Sequence, residues 1–294
     1  MIYVLKVAYD GSEFQGVQRQ PGKPTVLGHL ETLASQILGE EIRMGAAGRT
    51  DTGVHATGQV IAFQSHRSCQ AEQLTHGINA MARLPLAVLE TAVLGDETGF
   101  HPRHSALQRT YNYLLVDDCC YTQRLFWNGR AWTMGGALDP EAIRAAGEHL
   151  LGEHDLSTFC YQPDEDMARV RTVTRVSFEE EPLPPFFSAS TGKGRMWRLE
   201  ITANGFLRRM VRTLASALVR VGLALDTPES FAEKLRAADP KQGPPPAPPY
   251  GLYFKAVTYD PDPFEIGRQG GRYHKANPSQ RLSFRDHLRD PISG

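Results

Sequence analysis

The sequence predicts an α+β fold in which one supersecondary pattern occurs twice. In residues 1–98, segments of alternating and of helical hydrophobic periodicity follow one another in the order β-α-β-β-α-β. The same order returns after residue 108, with insertions. These two observations predict two ferredoxin-like halves related by a pseudo-repeat. Their antiparallel sheets are expected to flank a central cleft. Domain junctions of this kind are favoured places for functional sites.

The elements of the first half are predicted from their period and from the residues at their boundaries. Residues 3–9 alternate as in a strand. Apolar residues at helical spacing predict a helix over 25–38, with Thr25 as its N-cap and Gly39 after its end. The remaining elements are two short strands, a helix that ends before Pro85 and a final strand, at 41–47, 57–64, 71–83 and 86–94.

The second half repeats this pattern with decorations. Its first strand is predicted at 109–116, and Asp139 with Pro140 provides a good start for a helix over 140–151. The later elements are two strands, two helices and a closing strand, at 170–179, 196–203, 205–223, 228–238 and 252–259.

Changes in composition along the chain predict three parts. An N-terminal α+β domain is expected over 1–105 and a C-terminal α+β domain over 106–260. The proline-rich stretch 243–249 favours a stiff connector that leads into the last strand. Residues 261–294 are polar and mildly basic and offer few core-forming side chains, which predicts a flexible tail.

Composition excludes several classes of protein. Hydrophobic residues make up 41% and charged residues 22% of the 294 residues, as in a soluble globular protein. No apolar run approaches the length of a membrane span, and the N-terminus is too short and too interrupted by charge for a signal peptide. The 4 cysteines lack CxxC spacing and no histidine pair has ligand spacing, so we expect no metal and a reducing cytoplasm.

Charge leaves the choice of partner open. The formal net charge of -1 counts mildly against a nucleic-acid ligand. Arginines nevertheless bunch at 169, 171 and 175 and again at 208, 209 and 212, while acids bunch at 164–166 and 179–181. A basic cleft on a nearly neutral protein and a set of ordinary solvated faces both fit this distribution.

The segment GRTDTGVHA at 48–56 is the strongest functional feature. Glycines at 48, 53 and 58 let the backbone turn sharply, and the run after residue 57 has the character of a strand. Asp51 is therefore predicted at a loop tip on a rigid scaffold, where catalytic groups are often placed. The structural alternative makes Asp51 a turn or cap residue with Arg49 as its surface ion-pair partner.

Four further segments accompany this motif in a fixed order. Together the five segments are YDGSEFQGVQRQ at 9–20, GRTDTGVHA at 48–56, FHPRHS with RTYNY at 100–113, NGFLRRMVR at 204–212 and GLYF at 251–254. In these segments, from the first strand to about Tyr259, the sequence resembles the tRNA pseudouridine synthase A family. It departs from the family pattern at Val17, which stands where a tryptophan is usual.

The resemblance implies roles for individual residues. Asp51 falls on the catalytic nucleophile, Arg49 on its partner, Tyr111 on the active-site tyrosine and Arg212 on a second active-site arginine. Cations near Asp51 would keep its carboxyl ionised, and a tyrosine ring can stack on an extruded base while its hydroxyl assists proton removal at C5. The neighbouring substrate-binding candidates are Arg208, Arg209 and Leu252.

The resemblance also implies the reaction and the partners. The expected activity is isomerisation of uridine to pseudouridine at positions 38 to 40 of the tRNA anticodon stem-loop, by a homodimer and without a small-molecule cofactor. The glycosidic bond breaks, the base turns and a carbon–carbon bond forms, so neither redox change nor activated donor is needed. Whether the carboxylate attacks the base or the ribose C1′ is left open by the sequence.

Two other functions compete with this one. A non-catalytic RNA-binding protein with two ferredoxin-like domains predicts an aromatic strand motif such as RGFGFV, which this chain lacks. A hydrolase built on Asp51 predicts a paired carboxylate or a metal triad, and none stands at suitable spacing. His55 is expected to pack or to hydrogen-bond the turn rather than to act in catalysis.

Overall fold

The computed structural model describes residues 1–161, 168–183 and 194–269. The chain forms two compact units. The first contains residues 1–107 together with the chain from Phe254 onward, and the second contains residues 108–253. The acidic run at 164–166 and residues 270–294 of the predicted tail lie outside the described residues.

The first unit has the predicted β-α-β-β-α-β order. Its elements are β1 (Ile2–Tyr9), α1 (Val26–Leu38), β2 (Met44–Ala46), β3 (His55–Gln64), α2 (Ala71–Met81) and β4 (Leu86–Leu94). Strand β1 lies between β4 and β3 and is antiparallel to both, with Tyr3 opposite Val93 on one side and Phe63 on the other. Strand β2 also pairs with β3. The α+β class predicted from the periodicity is confirmed.

The core of the first unit includes buried side chains of β1, β3 and α1. Tyr3 and Phe63 are fully buried and stack with ring centroids 5.1 Å apart. Thr25 caps α1 by accepting a hydrogen bond from the Gly28 amide, and Gly39 ends the helix in the left-handed conformation. Both helix boundaries therefore follow from the residues that predicted them.

The second unit contains the repeated pattern and its insertions. Its elements are β5 (Ala106–Asp117), α3 (Tyr121–Trp127), β6 (Trp132–Thr133), α4 (Pro140–Glu148), β7 (Gly152–Asp155), β8 (Val170–Glu181), β9 (Arg195–Ala203), α5 (Met210–Gly222) and α6 (Pro228–Ala237). The strand order is β5-β9-β8-β7, and the short β6 is parallel to β5. The closing strand β10 (Leu252–Tyr259) follows in the chain and neighbours β3 in the first unit from Phe254 onward.

One helix starts later than its sequence predicts. The periodicity places a helix over 205–223, whereas α5 begins at Met210. Arg209, just before it, has φ 57, a left-handed conformation that a right-handed helix cannot include. Arg208 and Arg209 therefore lie in the turn before α5, and only Arg212 lies on the helix.

The prediction of a flexible tail from residue 261 is wrong for its first part. A further helix, α7 (Pro263–Gln269), follows β10 and packs on β4. Phe264 is buried, a Cβ on Gly267 would come within 2.8 Å of Ala92, and Arg268 forms a 2.6 Å ion pair with Glu90. The low apolar content of residues 261–294 gave no indication that Phe264 would be buried or that α7 would lie close to β4 at Gly267. No helix in the described part of the chain has the length and apolarity to cross a membrane.

Candidate active site

Asp51 lies in the connection between β2 and β3. Gly53 has φ 78, in the left-handed region that glycine favours, and the Val54 amide donates to the Asp51 carbonyl at 3.2 Å. This turn presents Arg49 as an exposed side chain and Asp51 as a half-buried one. The carboxylate is therefore held on a defined turn while keeping access to a ligand.

The segment after β1 lies directly against this turn. The Gly11 amide donates to Nδ1 of His55 at 3.0 Å, and a Cβ on Gly11 would come 2.1 Å from the Val54 carbonyl oxygen. The Val17 amide donates to the Thr50 carbonyl oxygen at 3.1 Å. Two of the five sequence motifs, far apart in the chain, therefore form one structure.

Val17 occupies a buried position in this structure. Its side chain is 1% exposed, and its carbonyl accepts the Leu27 amide at 3.0 Å in the first turn of α1. The residue that departs from the family pattern therefore packs in the core and, by its backbone, joins the Asp51 turn to α1.

His55 has the structural role predicted for it. The imidazole is 3% exposed, accepts from the Gly11 amide through Nδ1 and lies 3.1 Å from an Asp10 carboxylate oxygen. Asp10 also accepts from the backbone and the hydroxyl of Ser12. These contacts fix the first residue of β3 immediately after the turn.

Tyr111 lies on β5 in the second unit, opposite Ile201 of β9. It is 7% exposed, and its ring meets that of Phe206 edge to face, at 5.0 Å and 84°. Such a contact fixes the plane of the tyrosine ring. Leu252, at the start of β10, is 5% exposed and so forms part of the buried interior at that end of the strand.

The arginines at the start of α5 are individually held. Arg212 donates through Nε to the Ala247 carbonyl at 2.7 Å, and the Ala247 amide donates back to the Arg212 carbonyl at 3.0 Å. The proline-rich stretch predicted as a stiff connector thus lies along the first turn of α5. The guanidinium carbons of Arg209 and Arg208 lie 4.0 Å and 5.8 Å from the centroid of the Tyr161 ring. A cation–π contact of this kind limits the motion of both side chains.

Sequence reasoning missed the residues that support the site. Tyr9, Thr50 and Gln59 carry side-chain hydrogen bonds that hold the Asp51 turn, and Tyr161 supports the arginine pair. Tyr9 and Thr50 each lie inside a motif that resembles the family, and this was the signal that could have identified them. Gln59 and Tyr161 gave no such signal, because their partners are distant in sequence.

The arrangement suits nucleophilic chemistry by a carboxylate. A half-buried Asp on a braced turn keeps a defined orientation, which lowers the entropic cost of reaching the reacting geometry. No group of three or more His, Cys, Asp or Glu side chains is placed to hold a metal ion within residues 1–161, 168–183 and 194–269.

Comparison with known proteins agrees with the motifs. A family model described as tRNA pseudouridine synthase matches residues 146–260. A tRNA pseudouridine synthase A of Cereibacter sphaeroides is 36% identical over 263 residues, which cover 89% of this chain and 98% of that protein. The protein of the same name from Jannaschia sp. is 34% identical over 265 residues, which cover 90% of this chain and 97% of that protein. The one from Paracoccus denitrificans is 35% identical over 270 residues, which cover 90% of this chain and 99% of that protein. Since these similarities span nearly the whole of each protein, the chain belongs to the tRNA pseudouridine synthase A family.

Proposed function

We propose that this protein isomerises uridine to pseudouridine in the anticodon stem-loop of tRNA, at positions 38 to 40, with Asp51 as its nucleophile. Membership of the family makes the chain a tRNA pseudouridine synthase and thus an isomerase. The observation that carries the finer assignment is the turn of residues 48–54, where a half-buried carboxylate stands on a turn held by side-chain hydrogen bonds.

The reaction needs a carboxylate that stays in place while a base is detached and turned. The target uridine has to leave its stack to reach such a group. Asp51 forms the covalent bond to the substrate, and Arg49, exposed on the same turn, is its partner. The product keeps every atom of the uridine, so the protein has to supply no donor group.

Residues of the second unit are proposed to contact the same substrate. Tyr111 has a ring held by Phe206 and offers a flat surface for the base together with a hydroxyl for proton removal at C5. Arg212 supplies a positive charge on α5, and Leu252 lines the base pocket. Arg208 and Arg209 bind phosphates of the tRNA, because guanidinium groups suit phosphate oxygens.

We further propose that the protein works in the cytoplasm as a homodimer in which one tRNA contacts both subunits. Family resemblance supports this assembly. Light scattering on the purified protein should give twice the mass of one chain, and a single-chain mass at micromolar concentration would contradict it.

The experiment that tests the function maps pseudouridine in the anticodon stem-loop of a tRNA. The tRNA is first incubated with one of three proteins: wild type, Asp51→Asn or Asp51→Ala. Wild type should form pseudouridine at positions 38 to 40. Both variants should lose turnover and keep their affinity for tRNA, because asparagine preserves the shape of the side chain but is not a carboxylate nucleophile.

The same pair of variants tests the structural alternative. Asparagine caps a turn as well as aspartate does, whereas alanine would cost about 0.5–2 kcal/mol of folding free energy. If Asp51 were only a turn residue, Asp51→Asn would form pseudouridine at nearly the wild-type rate. That result would remove the nucleophile assignment.

A further inference from the structure

Hydrogen bonds from buried side chains hold both neighbours of Arg49. Gln59, which is fully buried, donates from Nε2 to the Gly48 carbonyl oxygen at 3.0 Å. On the other side of Arg49, the Thr50 hydroxyl lies 2.8 Å from the hydroxyl of Tyr9 in a buried contact. The two positions that alternate with Arg49 and Asp51 are thus fixed from the interior of the unit.

Tyr9 provides one of these two contacts. Its side chain is 5% exposed, and its hydroxyl lies 2.8 Å from that of Thr50. One phenol at the end of β1 therefore restrains the residue between Arg49 and Asp51. Burial raises the pKa of Tyr9 to about 12, so the hydroxyl keeps its proton through the pH range of an activity assay.

Backbone contacts also restrain the position of Thr50. The Thr50 carbonyl accepts the Val17 amide at 3.1 Å, and a Cβ on Gly16 would come 2.8 Å from the same oxygen. These contacts keep Thr50 near its place, while the hydroxyl contact with Tyr9 sets how its side chain is turned. A small rotation at Thr50 is passed directly to the next residue, Asp51.

We propose that Tyr9 is a positioning residue for the reaction: through Thr50 it sets the orientation in which the Asp51 carboxylate meets the uridine. The inference rests on the proposed function, because it takes Asp51 as the reacting group. Tyr9 acts through the turn and not by contact with the base. A displacement of a reacting group by about 1 Å is enough to slow a reaction by roughly 100-fold.

The test compares Tyr9→Phe with Tyr3→Phe, a matched control on the same strand. Tyr3 is also buried, but its hydroxyl hydrogen-bonds with the backbone of Arg67 and Cys69. These two residues lie just before α2 and are not part of the Asp51 turn. Each variant removes one buried hydroxyl and keeps the ring. The measurements are the single-turnover rate of pseudouridine formation, the tRNA dissociation constant and the melting temperature.

Tyr9→Phe should lower the single-turnover rate by about 10- to 100-fold and change the dissociation constant by less than about 2-fold. Tyr3→Phe should stay within about 3-fold of the wild-type rate at a similar loss of melting temperature. Equal rates for the two variants would overturn the inference, since the Tyr9 hydroxyl would then contribute to folding alone.

A second pair of variants keeps the test decisive if Tyr9→Phe does not fold. Thr50→Ser retains the hydroxyl that meets Tyr9, and Thr50→Val replaces it by a methyl group. The serine variant should keep most of the wild-type rate and the valine variant should lose as much as Tyr9→Phe. Equal activity of the two Thr50 variants would also overturn the inference.

Asp51→Asn, assayed alongside, separates this inference from the function it rests on. An inactive Asp51→Asn with Tyr9→Phe as active as Tyr3→Phe would remove the positioning role and leave the nucleophile in place. An active Asp51→Asn would remove the nucleophile and the positioning role with it.

Discussion

At the scale of single residues, the geometry of the candidate site depends on side chains that are small or absent. Gly11 shows this most clearly, since any Cβ there would collide with the Val54 carbonyl oxygen, 2.1 Å away. Val54 and Asp51 close the same turn through a backbone hydrogen bond. Glycine at position 11 is therefore a requirement of the distance between two backbone segments, not of a special dihedral angle.

We predict that Gly11→Ala destabilises the protein by more than about 2 kcal/mol and abolishes turnover, because the Asp51 turn has to move away from residue 11. Gly39→Ala is the control. Gly39 has φ 67 but no atom within 4 Å of an added Cβ, so this variant should cost about 1 kcal/mol and stay active. Urea unfolding and single-turnover rates measure both effects. A fully active and stable Gly11→Ala would show that the two segments do not lie so close.

Sequence predicted the candidate nucleophile and its glycines but not the groups that hold them. GRTDTGVHA predicts a turn and a candidate nucleophile because local backbone requirements are encoded in neighbouring residues. The contact of Tyr9 with Thr50 joins residues 41 positions apart, and no periodicity specifies such a pair. Tertiary hydrogen bonds of this type appear only when the fold is known.

At the scale of elements, the turn before α5 shows how far periodicity can be trusted. The apolar stripe of α5 is real, with Leu214 and Leu218 buried, but the pattern continues upstream of the helix itself. The left-handed backbone at Arg209 delays the start of the helix to Met210, and the arginine pair lies near the Tyr161 ring. Periodicity records which side chains are apolar, and it does not record a single residue of unusual φ.

We predict that Arg208→Ala and Arg209→Ala each weaken tRNA binding and flatten its salt dependence, with the log–log slope falling by about 0.7 to 0.9 per lost phosphate contact. Arg236→Ala is the charge-matched control, since Arg236 is exposed on α6 in the same unit. Binding titrations at several salt concentrations measure the slopes. If all three variants gave the wild-type slope, the pair at 208 and 209 would be a solvated face without a role in RNA binding.

At the scale of the whole molecule, the first unit is completed by the end of the described chain. Strand β10 neighbours β3, and a Cβ on Gly58 of β3 would come 2.2 Å from the Lys255 carbonyl oxygen. Helix α7 then packs on β4, with Gly267 close to Ala92, an ion pair between Arg268 and Glu90, and a buried Phe264. Residues near the two ends of the described chain therefore belong to one cooperative unit.

We predict that a chain ending at Gln269 keeps its stability, whereas a chain ending at Asp260 loses several kcal/mol. The shorter chain lacks α7, and loss of a buried phenylalanine alone typically costs about 3–5 kcal/mol. Phe264→Ala in the full chain separates the packing of one side chain from loss of the helix. Thermal and urea unfolding measure all three. Equal stability of the two truncated chains would mean that the packing of α7 on β4 contributes nothing to folding.

The position of Phe254 has a consequence for folding during synthesis on the ribosome. Gly48, at the start of the Asp51 turn, lies against the ring of Phe254, and a Cβ on Gly48 would come 2.8 Å from it. Asp51 is synthesised early, but the aromatic ring that contacts its turn is synthesised only after the entire second unit. Synthesis that stops before residue 254 therefore yields a polypeptide that has Asp51 but lacks this contact, with an open edge on β3 for chaperones or proteases to recognise. Activity is thus reserved for chains that the ribosome has carried past this point.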